Sequence, residues 1–168
     1  MSSKINQSAT EICAGFNVGA QAERLLEDDM SAGKFVDALV EKNKFSDAID
    51  FMAHALPARE GIWWGCLCMR HALGDNLTPP DREAATAAVH WVIDPNEQTQ
   101  AAARASAAAC GTMSIAGALA IAAGEASAPA QSIARAVKIA AIKDPANISR
   151  VQRSYVELAM QIAEGQLL

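Results

Sequence analysis

Several things are missing from this chain, and each absence removes a class of protein. No stretch of its 168 residues alternates apolar and polar positions convincingly, so a β-sheet frame is excluded. Aromatic residues make up only 5% of the chain, with a single tyrosine, so the core must be filled by aliphatic side chains and alanine. There is no basic stripe. The chain carries a formal net charge of −5, with 14 acids against 8 bases up to Asp94 and 5 against 6 from Pro95 onward. Nucleic acid is therefore not an expected partner, and an acidic surface disfavours an anionic membrane. The first eight residues lack the continuous apolar core of a secretion signal. The longest stretch free of charge and proline, 105–124, is mostly Ala, Ser and Gly between Arg104 and Glu125, which makes a poor membrane span.

Chemistry-bearing motifs are missing too. The four cysteines (Cys13, Cys66, Cys68 and Cys110) show neither disulfide-framework nor zinc-finger spacing. Without a secretion signal they read as reduced thiols in a cytoplasm. There is no Gly-x-Ser-x-Gly elbow and no glycine-rich phosphate loop between a strand and a helix. No metal and no cofactor are expected.

What is present is helix. The expectation is an all-α, irregular single-domain helical bundle of about seven or eight helices, with a helical-hairpin array as the variant form. Residues 1–9 read as a flexible tail and 10–168 as one domain. Ser31, Ser46 and Thr78 are candidate N-caps; Thr78 is followed by two prolines and an acid, a strong helix start. Pro57 closes one helix, and Gly74 is placed to end the next.

That next stretch, residues 57–73, is apolar nearly all round as a helix and is read as the central, buried one. It holds Trp63, Trp64, Cys66 and Cys68. Its charges lie near its ends: Arg59 and Glu60 at the start, Arg70 and His71 at the finish. Glu60 and His71 suit the helix dipole; Arg59 does not. Adjacent tryptophans diverge by about 100° on a helix. Either both enter the core with Trp91 nearby, or one lines a pocket for a partner. Cys66 and Cys68 diverge by roughly 200° and cannot share a metal ion, whereas Cys68 and His71 share a face. Those groups carry the enzyme or redox alternative; buried, inert thiols are the plainer reading.

Residues 114–125 form a second apolar helix, of small residues. Gly117 and Gly124 lie on one face with Ile121 between them, where a neighbouring backbone can approach. The neighbour is either another helix of the chain or a partner chain, so a homodimer is open. Taken together, these features point to a non-catalytic, protein-binding adaptor or chaperone-like accessory protein. The alternatives are an enzyme using Cys66 or Cys68 with His71, and a carrier of an apolar small ligand.

The run Arg59-Glu60-x-x-Trp63-Trp64-x-Cys66, followed by Pro79-Pro80, Asp94-Pro95, the small-residue helix, Ala134-Arg135-Ala136-Val137 and Asp144-Pro145, resembles a family of small bacterial proteins of unknown function. The resemblance covers roughly residues 35 to 165. It implies a cytoplasmic bacterial protein and, at its furthest reach, an accessory of a secretion system such as type VI. It carries over no functional residue.

Overall fold

The fold is seen in a computed structural model that describes residues 3–167. Among the described residues there are ten helices and no strand: α1 (Ala9–Cys13), α2 (Ala20–Glu23), α3 (Ala32–Glu41), α4 (Phe45–Ala55), α5 (Ala58–Leu73), α6 (Pro79–Ile93), α7 (Glu97–Ala107), α8 (Ile115–Gly124), α9 (Ala130–Ala141) and α10 (Ile148–Ala163). There are ten rather than seven or eight because the N-terminal stretch folds as two separate single turns, α1 and α2.

The chain's own punctuation sets most boundaries. Ser31 accepts from the Lys34 N–H, Thr78 from Asp81 N–H, and Ser114 from Gly117 N–H. Pro79 and Pro80 occupy the first two positions of α6, where their missing N–H groups cost nothing. Gly74 ends α5 with a φ of 55°, a conformation that suits glycine. Ser46 is not a cap: α4 starts one residue before it, with Lys44 in the cap position and no side chain serving the turn. Asn96 and Thr99 form a reciprocal cap at the start of α7.

The helices share one core. A hairpin array would confine each helix to its neighbours in sequence. Here α10 returns onto α4 and α5, and α9 packs on both α4 and α5, so the bundle is closed. The most enclosed helix is α8, rather than α5. It packs against α5, α6, α7 and α9. Nine of its ten residues are buried, and Ile121 is the one that is not. Half of α5 is buried; Trp63, Leu67 and Leu73 are only partly covered.

The start of α8 is tied to the start of α6. Ser114 caps α8 and also donates to Asp81 Oδ1 at 2.5 Å. Desolvation alone would raise the Asp81 carboxyl, but hydrogen bonds from Ser114, Thr78 and Cys110 outweigh it and hold the group below its ordinary pKa.

The stretch expected as a tail is residues 1–9. Met1 and Ser2 lie outside the described residues. From Ser3 onward the segment is held: the Lys4 N–H donates to Ala163 O at 2.6 Å, and Ser8 and Glu11 form a capping box that starts α1. Ala9 is fully buried. Its polar look in sequence reflects backbone bonds and a cap, which need no apolar side chains.

Candidate functional site

The candidate residues from sequence cluster on α5, and the structure gives most of them an internal partner. Trp64 is fully buried, with its indole N–H donating to Tyr155 O at 2.8 Å. Trp63, about 100° round the helix, is half-buried and donates to Leu167 O at 2.8 Å. The pair is therefore split, one in the core and one at its edge. Trp91 is buried on α6, and among the described residues no ring pair joins it to the other two.

Arg59 explains its unfavourable place at the start of α5. Its Nε donates to Val92 O at 2.6 Å, in the last turn of α6, where a cation is favoured. Glu60 is 8% exposed and pairs with Lys4 Nζ at 2.9 Å. At the other end, Tyr155 Oη donates to Cys68 O at 3.2 Å, and His71 Nδ1 lies 2.9 Å from the same oxygen. Since the hydroxyl proton goes to the carbonyl, His71 is the donor in that second bond. Burial, and then the neighbouring Cys68 thiol, push the Tyr155 phenol upward.

The hydrogen bond that reaches Cys68 thus ends on its carbonyl and leaves the sulfur alone. Burial raises the Cys66 thiol to about 12, and raises Cys68 well above the ordinary thiol range with a further contribution from Cys66. A thiol held protonated is a poor nucleophile and a poor metal ligand. Among the described residues no three His, Cys, Asp or Glu side chains gather as a metal site.

The glycines of α8 face α7 and the turn after it. A Cβ on Gly124 would lie 3.0 Å from Arg104 Cβ and 3.1 Å from its Cα; one on Gly117 would lie 2.7 Å from Cys110 Cβ. Sequence reading missed two equivalent positions on α5. Gly61 and Gly65 admit Ile133 of α9 and Leu119 of α8, and a Cβ on Gly65 would overlap Leu119 outright. Their i, i+4 spacing on an apolar helix was the available sign. Tyr155 and Lys4 were also missed as partners; the sign for Tyr155 was that it is the only tyrosine.

The largest concavity described lies elsewhere, between α6 and α7. It is a shallow trough of about 710 Å³. Its lining includes Leu77, Pro79, Ala87 and Ala102, with Arg82, Glu83 and His90 adding polar groups. On α7, Ala101, Ala102 and Ala105 are exposed together with Glu97, Gln98 and Arg104.

A family profile described as a family of unknown function, DUF6931, matches residues 35–163. The chain belongs to this family. The DUF6931 span starts inside α3, takes in α4 to α9 whole and ends with the last residue of α10. All the candidate residues and both sides of the α6–α7 trough lie within it; α1 and α2 lie outside. No curated protein and no solved structure matches the chain.

Proposed function

We propose that this DUF6931 chain is a non-catalytic adaptor, or chaperone-like accessory protein, that holds a helix of another protein in the α6–α7 trough. One observation carries the reading. Arg59, Glu60 and His71 on α5 are bound to the chain itself, whereas the trough is wide and shallow, with Leu77, Pro79, Ala87 and Ala102 set among polar side chains. The small side chains of Ala87 and Ala102 let another helix approach, and the opposite charges of Arg82 and Glu83 can orient it without demanding one sign of partner. The enzyme alternative loses support because Cys66 and Cys68 are buried and kept protonated. Among the described residues no helix is long and apolar enough to cross a membrane. Placement in a bacterial cytoplasm rests on the reduced thiols and the sequence resemblance, and a secretion-system role rests on the resemblance alone.

Ala102→Arg tests the reading. The residue is exposed, so the fold should persist, and an arginine there would obstruct the trough. Wild type and variant are used in parallel as bait in lysate from the source cells. A partner kept by the wild type and lost by the variant, at unchanged circular dichroism, is the expected result. Equal retention by both proteins would remove the trough from the proposal.

A further inference from the structure

A second cleft, of about 470 Å³, lies between α4 and α9 beneath the turn that follows α1. Ligand-sized pockets run from roughly 300 to 1,000 Å³. Its charged groups are Asp50 and His54 on α4 and Arg135 and Lys138 on α9. Lys138 Nζ binds both oxygens of Asp50 at 2.7 Å, which neutralises the carboxylate and leaves one of the three ammonium protons spare. Arg135 is exposed and, among the described residues, makes no ion pair or hydrogen bond. It sits three residues before Lys138, so both heads lie on one face of α9. His54 gives its Nδ1 proton to Asp50 O at 2.8 Å, and its ring stacks on Phe16 with centroids 3.9 Å apart. The cleft therefore carries one cation beyond its internal pairing, with one spare donor, on Lys138, beside it.

The same face of α9 continues as apolar surface. Ile139 is buried there, while Ile142 is 46% exposed, one of only four large hydrophobic residues so exposed among the described residues. We infer that this cleft binds a small organic monocarboxylate with an apolar body. Arg135 and the spare proton of Lys138 take the two carboxylate oxygens, and the body covers Ile142 and the Phe16 edge. Arginine presents a planar fork that fits a carboxylate, so one negative charge balances the site. This site lies apart from the α6–α7 trough and does not depend on the adaptor reading.

The test uses 3-phenylpropionate, its carboxamide and acetate, titrated into the full chain by calorimetry and amide NMR. The expected result is saturable binding of 3-phenylpropionate, with amide shifts at residues 16–17, 54 and 135–142. The carboxamide and acetate should each bind at least about tenfold more weakly, as each lacks one half of the recognition. Arg135→Gln should weaken 3-phenylpropionate at least about tenfold, and Arg153→Gln, an exposed control on α10, should not change it. Equal binding of the carboxamide, or by Arg135→Gln, would overturn the inference. Equal binding of acetate would reduce the site to an ion contact and overturn it as stated. Absence of saturation at tens of millimolar would also overturn it.

Discussion

Helices α5 and α8 are both apolar almost throughout, yet they fill the middle of the molecule in opposite ways. On α5, large side chains reach out: Trp64 enters the core and is fixed by Tyr155, and Arg59 and Glu60 grip α6 and the N-terminal segment. On α8, side chains are withheld: alanine and glycine let four other helices close in around it. The first kind of packing should be sensitive to loss of atoms, the second to their addition.

The largest test of that contrast is Trp64→Ala. It removes a fully buried indole and its hydrogen bond, and should cost about 3–5 kcal/mol in urea unfolding. A loss below about 1 kcal/mol would remove α5 from its role. Gly124→Ala is the converse. An alanine there should gain about 1 kcal/mol in helix propensity, but its methyl meets backbone atoms of Arg104, which cannot rotate aside. A net loss of about 1–3 kcal/mol is expected, with the oligomeric state unchanged in light scattering. A stabilised variant would show that α7 can retreat from α8 at little cost.

Trp63→Ala sharpens the contrast within α5. This half-buried side chain has one hydrogen bond, to Leu167 O, and its loss should cost about 1 kcal/mol. A cost equal to that of Trp64→Ala would mean that both tryptophans are core. The smallest effect concerns acid. The Asp81 carboxyl is held low in the folded state, so its contribution is present above its unfolded value of about 4. It is lost as pH falls through the lower, folded value. Melting temperatures measured from pH 6 down to pH 2 should fall less steeply for Asp81→Asn than for wild type. Parallel curves would show that the tie from Ser114 to Asp81 does not support α8.

The helical class and most helix boundaries were legible because they depend on nearest neighbours in the chain. Thr78 before two prolines, Ser31 before an apolar run, and Gly74 after one are local instructions, and the structure follows them. Ser46 misled because Phe45 packs as the first residue of α4 and takes the boundary with it. The centre of the fold was harder to read. Bulky α5 looks more buried than α8 on hydrophobic content, but enclosure follows from how closely neighbours can approach, which favours the smaller residues. Pairings across long separations were not legible at all. Nothing local joins Lys4 to Glu60, Arg59 to Val92, or Arg135 and Lys138 to the α4 groups they lie beside.

The contacts at the two ends of the described chain have a mechanical consequence. Lys4 bonds to Ala163 through its backbone and to Glu60 through its side chain, while Trp63 holds Leu167. Residues far apart along the chain thus meet on one short stretch of α5, and the fold is a belt with its buckle there. A pulling force applied between residues 4 and 167 would load the buckle before it reached the core. The same force applied between Gly111 and Ala128, in the turns on either side of α8, would bypass it and draw directly on the most tightly enclosed helix.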